Sequence, residues 1–454
     1  MRSIIQSIIH QDQTGTMGRS VRLLTWVVSL RLCACVVVLL GVAGCSQRVS
    51  TAPTALTELT APTAPMAVID GRLTNRESGE VFRPKGFNYI RLDTAGMGSH
   101  ATFSPFLYDG AVIEQMFSSL DRGGYNTVRV FINGSRGKRG NMTDSPEEGR
   151  LSARYLDNLT DFLQRARSHR IMVILCFEGI AYGPVYPSSR MKPAEGLEGH
   201  SAVLLDKSRQ EAKRSWIVDV IREVRKRDAE SLRTVLCWEL DNESSFHLAG
   251  KPFSQDQGMV TMVNGKTYDL ARDKSALADD MAVYWTDFIA TGIRQELPGA
   301  LISVNVFTYA AVGRSGPGDF KQSQAAWQNR YPFRPTALLR SSADIIDIHL
   351  YPKDEADLQR NLDSSEFSRL RRDIPGNKAL MVGEFGIHVK DIPDLDLANA
   401  WMRTLVGRID ELGFQGWLYW TYDSQEQGEL WSAMQGNGLI FNGLRQSAEK
   451  GSTP

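Results

Sequence analysis

Residues 235–243 read Val-Leu-Cys-Trp-Glu-Leu-Asp-Asn-Glu, and residues 379–386 read Ala-Leu-Met-Val-Gly-Glu-Phe-Gly. In each stretch a short apolar run of strand length ends at carboxylate side chains. Strands that alternate with helical patterns predict βα units and a parallel sheet. These two stretches therefore predict parallel strands that carry Glu243 and Glu384 at their carboxyl ends.

Eight such apolar runs occur along the chain, and eight is the number of strands in a TIM barrel. Amphipathic stretches with apolar residues three and four positions apart lie between them, as in Ile113, Met116, Phe117 and Leu120 and again in Leu156, Leu159 and Leu163. We therefore predict the α/β class and a (β/α)8 TIM barrel with long active-face loops. A doubly wound open sheet is the rival fold, but no glycine-rich phosphate turn follows the first strand. The predicted strands are Phe82–Leu92, Thr127–Ile132, Met172–Phe177, Thr234–Asn242, Leu301–Phe307, Asp344–Pro352, Ala379–Gly386 and Phe414–Tyr422.

Three connections between strand and helix are long, over residues 178–206, 244–275 and 308–336. Long loops on the active face of a barrel usually build the binding cleft. Asn264-Gly265 lies between two apolar-alternating runs in the second connection, which predicts a β-hairpin. The loops suit either a polysaccharide groove or an exo-acting pocket.

The composition excludes several classes of protein. The 454 residues are 42% hydrophobic, which is enough for a large core, and Lys+Arg and Asp+Glu balance at 52 each. Without a basic surplus, nucleic acid is not an expected partner. We predict one globular catalytic domain over residues 68–454 and expect a monomer.

The first 67 residues have the composition of a targeting segment and a tether. Arginines precede the apolar run Leu32 to Ala43, which is too short for a membrane span of about 20 residues. The sequence Val42-Ala43-Gly44-Cys45 resembles a bacterial lipobox, which makes residues 1–44 a signal peptide and Cys45 the lipidated first residue. The alternative is an uncleaved signal anchor. Residues 45–67 are a Thr/Ala/Pro-rich tether, and Ser46 resembles an outer-membrane retention signal, so we expect an exported protein that faces the periplasm or the cell surface.

Cysteine and histidine are sparse. Three of the five Cys fall within the first 45 residues, so only Cys176 and Cys237 belong to the folded body, and packing thiols are expected rather than a bridge. The chain has seven His, and no second His stands at ligand spacing from His349. We predict no metal site and no cofactor.

Two opposed carboxyl groups are what cleavage of a glycosidic bond requires. One protonates the leaving oxygen, and the other acts as nucleophile or base at the anomeric carbon. Glu243 and Glu384 are candidates for these roles, and the alternative for either is a helix cap or a surface ion pair. Glu178 is a third carboxylate near the mouth of the barrel that modulates the acid, contacts a sugar hydroxyl or faces water.

Six motifs follow one another along the chain, at residues 71–73 with 82–88, 124–129, 238–243, 347–352, 383–386 and 416–420. In this order they resemble the motifs of glycoside hydrolase family 5, the cellulase and mannanase family, within the clan of retaining barrel glycosidases. The resemblance covers about residues 68–445. One departure is Cys176-Phe177-Glu178, which stands where many cellulase-type members have a His.

The resemblance implies a role for each matching residue. It makes Glu243 the general acid/base and Glu384 the nucleophile, with Arg129 and Tyr351 beside Glu384 favouring its anionic form, while Glu243 is protonated near neutral pH. Asn242 corresponds to the residue that binds the 2-hydroxyl of the reacting sugar. His349 shares the inward face of its strand with Tyr351. Trp420 resembles the platform on which the sugar stacks, with core packing as its alternative. Further subsites would involve Tyr182, Trp327 and Trp431, each with an equal alternative in packing.

These residues predict a retaining β-glycoside hydrolase, and the resemblance implies β-linked glucans or mannans as substrates, for which the long loops favour endo action. The missing His of many cellulases favours mannan slightly over cellulose. An exo-β-glycosidase, a transglycosidase and a catalytically silent carbohydrate-binding barrel are the alternatives. The intact pair of Glu243 and Glu384 favours activity over the silent barrel.

Overall fold

A computed structural model of the protein describes residues 65–93, 99–134, 142–143, 151–181, 186, 191–362, 365–424 and 426–450. The predicted signal peptide, Cys45 and most of the predicted tether lie outside these residues. Before the barrel, strands β1 (Met66–Ile69) and β2 (Arg72–Asn75) form a hairpin. The hairpin includes Met66 and Ala67, because Met66 is buried among apolar residues at the base of the barrel. The hairpin thus begins two residues ahead of the predicted boundary at residue 68.

Eight parallel strands close into a barrel, as predicted, and each predicted run overlaps one of them. The closed order excludes the doubly wound sheet. In chain order around the barrel the strands are β3 (Lys85–Asn88), β6 (Thr127–Asn133), β7 (Met172–Glu178), β8 (Val235–Glu239), β12 (Ile302–Phe307), β14 (Ile345–Leu350), β15 (Ala379–Phe385) and β16 (Trp417–Tyr419).

Helices cover the outside of the barrel through apolar faces. Ile113, Met116, Phe117 and Leu120 on the first helix are buried, as the spacing predicts. Asp109 caps this helix by accepting from the backbone N–H groups of the first turn. The helices are α1 (Gly110–Arg122), α2 (Ala153–Ser168), α3 (Ser201–Leu205), α4 (Lys207–Arg227), α5 (Lys274–Glu296), α6 (Pro335–Leu338), α7 (Glu355–Leu362), α8 (Ser365–Asp373), α9 (Leu395–Glu411) and α10 (Gln435–Lys450), the last interrupted by left-handed residues 436–438.

The interior of the barrel changes character along its axis. At the amino-terminal end of the strands, apolar side chains such as Ile174, Leu236 and Met381 pack against Met66 and Leu73 of the hairpin. Nearer the carboxyl ends, the inward positions are buried charged residues. The apolar layer closes the base, so the polar layer faces only the mouth of the barrel.

The long loops form small sheets of their own. The predicted hairpin around Asn264-Gly265 is present as β10 (Met259–Thr261) and β11 (Thr267–Asp269). The two connections after β8 and β12 are joined by an antiparallel pair, β9 (Ser245–His247) and β13 (Arg330–Pro332), which the sequence analysis did not anticipate. A further pair is β4 (Leu92–Asp93) with β5 (Ser99–His100). No helix in the described ranges is long and apolar enough to cross a bilayer.

Candidate active site

Glu243 and Glu384 face each other at the carboxyl ends of the strands. Glu384 is the penultimate residue of β15, and Glu243 follows the end of β8 by four residues. A carboxylate oxygen of each and a ring nitrogen of His349 all lie within 4.8 Å of one another. The structure therefore brings together the two carboxylates that the sequence analysis singled out, in the part of a barrel that usually holds the chemistry.

Arg129 is the centre of the buried polar layer. Its side chain is completely buried, and its Nε donates to Glu239 Oε1 at 2.6 Å. Its two terminal nitrogens donate to Glu384 Oε2 at 3.2 Å, Asn88 Oδ1 at 2.9 Å and Asn242 Oδ1 at 2.9 Å. A buried guanidinium needs such partners, because an unpaired charge in the interior is costly. Arg129 thereby fixes the position of both Glu384 and Asn242.

The expected neighbours of Glu384 are in place. Tyr351 donates its hydroxyl to Glu384 Oε1, and Arg129 occupies the other oxygen. His349 Nδ1 lies 3.4 Å from Glu384 Oε2. Burial raises the pKa of Glu384 above its ordinary value, although His349 and Arg129 act in the opposite direction.

Glu243 is held by both its backbone and its side chain. Its φ is 52°, in the left-handed region that non-glycine residues rarely adopt, and its N–H donates to Asn305 Oδ1. Asn305 also donates to the carbonyl of Asp241 at 2.6 Å, so one side chain stabilises the whole turn. Arg330 Nη1 donates to Glu243 Oε2 at 2.6 Å.

The expected order of acidity of the two carboxylates is wrong. Burial alone would raise the pKa of Glu243, but the Arg330 guanidinium and His349 lower it to about 2. The pKa of Glu384 is instead raised by burial. The expectation rested on Arg129 and Tyr351 beside an anionic Glu384, and on the charge of Glu384 beside a protonated Glu243. It missed Arg330, whose charge stabilises the carboxylate form of Glu243 in the unliganded site.

Asn242 and His349 complete the polar surroundings of the two carboxylates. Asn242 uses its Oδ1 to accept from Arg129, so its amide nitrogen is left as the donor that it can offer. His349 is buried, and Nδ1 stands 3.5 Å from Glu243 Oε1 as well as near Glu384. Burial lowers the pKa of His349, but Glu384 and Glu243 reverse that effect and raise it. A charged imidazole would bridge the two carboxylates.

Asp347 is a buried acid that the sequence analysis passed over. Its Oδ1 accepts from the N–H of Gly383, and its Oδ2 lies 4.0 Å from His349 Nε2. Gly383 is required there, because a Cβ would stand 1.9 Å from Asp347 Oδ2. Burial raises the pKa of Asp347 to about 7. Strand alternation places it on the inward face with His349, which was the available signal.

We predict that Asp347→Asn removes a pH-dependent loss of stability. The folded pKa of about 7 exceeds the unfolded value of about 3.9, so wild-type stability falls as pH rises from about 4 to about 7. The asparagine can still accept from Gly383. Relative to wild type, the variant should gain up to about 4 kcal/mol between pH 4 and pH 8, at about 1.4 kcal/mol per pH unit.

Urea unfolding at the two pH values measures this gain. Asp396→Asn, at an exposed position of α9, is the matched control. A stability difference between Asp347→Asn and wild type that stays constant with pH would contradict the prediction.

Trp420 lies on the wall of the site but is largely covered. Its side chain packs edge-on against Phe131 with ring centres 5.8 Å apart, and its Nε1 donates to Gln427 Oε1 at 2.7 Å. Only 5% of the residue is exposed. The indole plane is therefore fixed, and only a small part of the ring is available to a sugar.

The residues predicted for further subsites differ in their surroundings. Trp431 is half-buried and donates Nε1 to the carbonyl of Ile392 at 2.8 Å, which is a packing role. Trp327 is half-buried in the connection after β12. Tyr182 lies outside the described residues. Glu178 ends β7 and is half-buried. Cys176 and Cys237 are free and buried, as expected for packing thiols.

A metal ion has one candidate position among the described residues. Glu243, His349 and Glu384 are close enough to share a divalent ion, and all three supply suitable ligand atoms. However, Arg129 and Arg330 each donate to one of the two carboxylates. Two guanidinium charges on the ligands oppose cation binding, so the same groups are better suited to acid–base and nucleophilic chemistry.

Arg330 and Asn305 are the contributors to this site that the sequence analysis missed, together with Glu239 and Asn88 as partners of Arg129. Asn88 and Glu239 lie inside motifs that were recognised, at strand ends where polar residues are informative. Asn305 occupies an inward position of β12. Arg330 carries no comparable signal, because it comes from the middle of a long connection.

No model of a known protein family matches the chain, and no curated protein matches it. Similar solved structures include the endo-1,4-β-mannanase from Rhizomucor miehei, with a TM-score of 0.56 and 16% identity over 85% of this chain and 99% of that one. The endo-β-1,4-mannanase from Thermotoga petrophila has a TM-score of 0.54 and 15% identity over 83% of this chain and 78% of that one.

A third similar structure is the exo-β-1,4-mannosidase Op5Man5 from Opitutaceae bacterium strain TAV5. It has a TM-score of 0.53 and 16% identity, and the match covers 85% of this chain and 63% of that one. At such identities these likenesses concern the fold. This chain therefore shares the (β/α)8 barrel architecture of these enzymes.

Proposed function

We propose that the protein is a retaining β-glycoside hydrolase, an O-glycosyl hydrolase with Glu384 as nucleophile and Glu243 as acid/base. The observation that carries the proposal is the approach of one oxygen from each carboxylate to within 4.8 Å. Retaining pairs stand about 5 to 5.5 Å apart, whereas inverting pairs need about 6.5 to 9.5 Å to admit a water molecule. The spacing therefore favours direct attack by one carboxylate on the anomeric carbon.

In the proposed double displacement, Glu384 attacks the anomeric carbon while Glu243 gives a proton to the departing oxygen. Glu243 then takes a proton from the water that releases the sugar from Glu384. Arg129 and Tyr351 hold the two oxygens of Glu384 in a fixed orientation. Asn242 offers its amide to the 2-hydroxyl, a contact that strengthens in the transition state.

We further propose endo action on a β-linked mannan or glucan, with mannan preferred. The support is the joined wall of β9 and β13 beside Glu243, which suits a groove along which a polymer lies. Two of the similar solved structures are named as endo-acting β-1,4-mannanases. Exo action is the alternative, because another is named as an exo-β-1,4-mannosidase.

The test is incubation with glucomannan, carboxymethylcellulose, laminarin and aryl β-glycosides, followed by NMR of the first product formed. Retention and a rapid loss of glucomannan viscosity, with mixed oligomers, are the expected results. The inverted anomer as first product would contradict the retaining assignment. Accumulation of monosaccharide alone would contradict endo action.

We also propose that the mature protein is anchored to the outer membrane through a lipid on Cys45. The support is the lipobox-like sequence before Cys45 and the tether-like composition after it. Cys45→Ser should abolish incorporation of labelled fatty acid, whereas Cys35→Ser, within the same predicted signal peptide, should leave it intact. Labelling that survives Cys45→Ser would refute the anchor without affecting the proposed activity.

A further inference from the structure

Arg330 makes three donated contacts to the segment that carries Glu243. Nη1 donates to Glu243 Oε2 and Nη2 to the Glu243 carbonyl oxygen, each at 2.6 Å. Nε donates to Ser245 Oγ at 3.1 Å. The guanidinium also lies over the ring of Phe307, 4.4 Å from its centre. The planar guanidinium of Arg330 thus binds both the side chain and the backbone of Glu243.

The backbone of Arg330 is held in place by its own hydrogen bonds, as the guanidinium is. Arg330 pairs with His247 in the β9–β13 sheet, and its carbonyl accepts from Arg314 Nε at 2.9 Å. The side chains of Arg330 and Glu243 are only 24% and 18% exposed. An ion pair that is preorganised and mostly shielded from water interacts more strongly than one on the surface.

The other charged groups around Glu243 come from neighbouring strands. His349 on β14 faces Glu243 Oε1 at 3.5 Å, and Glu384 on β15 faces it across the site. Tyr351, which follows β14, donates to Glu384 rather than to Glu243. Arg129 is committed to Glu239, Glu384 and Asn242. Within the part of the chain that the structure describes, Arg330 is therefore the arginine that forms an ion pair with Glu243.

We propose that Arg330 is a positioning residue that keeps Glu243 in its carboxylate form in the resting enzyme and so limits proton donation to the leaving group. This inference rests on the proposed function. In the first step the proton on Glu243 passes to the glycosidic oxygen as its bond to the anomeric carbon breaks and the bond to Glu384 forms. Arg330 opposes that protonated state, while it favours the carboxylate that acts as base in the second step.

The leaving group provides the test. Dinitrophenoxide departs without a proton, whereas phenoxide needs one, so the ratio of kcat/KM for phenyl over dinitrophenyl β-glycoside reports how often Glu243 carries its proton. Removing an adjacent opposite charge raises the pKa of a carboxyl group by about 1 to 3 pH units. In Arg330→Gln the ratio at pH 6 should therefore rise by at least about tenfold, and in Arg330→Lys it should rise less.

A merely structural role would lower both rates together and leave the ratio unchanged. Arg314→Gln is the matched control, because Arg314 donates to backbone carbonyls of the connection that carries Arg330, without contacting Glu243. This control should not raise the ratio. An unchanged or lower ratio in Arg330→Gln would overturn the proposal.

A second measurement separates this proposal from the proposed function. Carbon-13 NMR of protein labelled at the glutamate carboxyls, with the Glu243 signal identified by its loss in Glu243→Gln, follows the titration of Glu243 without any substrate. Its midpoint should move up by about 1 to 3 pH units in Arg330→Gln. An unmoved midpoint defeats the role of Arg330, whereas a midpoint that moves in a protein without turnover on any glycoside shows that the failure lies with the proposed function.

Discussion

Glu384→Ala should lower turnover of aryl β-glycosides by on the order of 10⁴-fold or more, because it removes the atom that attacks the anomeric carbon. Tyr351 and Arg129 would remain, but neither can form the covalent intermediate. The loss should be equally large for phenyl and dinitrophenyl leaving groups, since both need the nucleophile. Steady-state rates on the two substrates, with thermal melting to verify folding, measure the effect.

Rescue by a small anion separates loss of the nucleophile from misfolding. Azide can enter the space left in Glu384→Ala, attack from the same side and give a glycosyl azide of inverted configuration. Glu384→Gln removes the charge but keeps the volume, so azide should not rescue it. A loss of less than tenfold in Glu384→Ala would show that another group is the nucleophile.

Glu243→Ala should change the rates on different substrates to different extents, according to their leaving groups. Transfer of the sugar from dinitrophenyl β-glycoside to Glu384, the loading step, needs no acid and should persist. Release of the sugar from Glu384 should slow, because no base activates water. We expect a burst of dinitrophenolate followed by a steady rate lowered by about 10²- to 10⁴-fold. With the phenyl glycoside the loading step itself should fall by a similar factor, and stopped-flow absorbance distinguishes the two steps.

The matched variant is Glu243→Gln, which preserves an acceptor for Arg330 and avoids leaving that guanidinium without its partner. Azide should accelerate release in Glu243→Ala and give a product of retained configuration. If Glu243→Ala slowed all substrates equally and showed no burst, the acid/base role would belong to a different residue.

Much of the barrel could be predicted from the sequence because its signals are local. A strand of a parallel barrel is buried on both faces, so its apolar run stands out, as in residues 172–177. Polar residues at the end of such a run, such as Glu384, are exceptions to the pattern and point to the mouth of the barrel. The helix that buries Ile113 and Phe117 was equally clear from its spacing.

What could not be predicted depends on contacts between distant segments. Arg330 reaches Glu243 only because β13 pairs with β9, and neither three-residue strand has a distinctive pattern. The order of acidity of the two carboxylates follows from that contact, from His349 and from burial, whose extent the sequence does not give. The covering of Trp420 by Phe131 and Gln427 was likewise out of reach, since its partners lie on separate segments.

The connections of Arg129 also bear on how this site can change during evolution. One guanidinium binds side chains carried by or just after β3, β8 and β15, and donates to Cys176 on β7 at 3.4 Å. Residues that share a partner give non-additive effects when substituted together. A change at Glu239 alone leaves the buried guanidinium charge of Arg129 without this partner, whereas paired changes at Glu239 and Arg129 remove both charges. Descendants of this sequence that retain the barrel but lose the reaction should therefore have replaced these residues in groups rather than singly, leaving correlated substitutions as the trace.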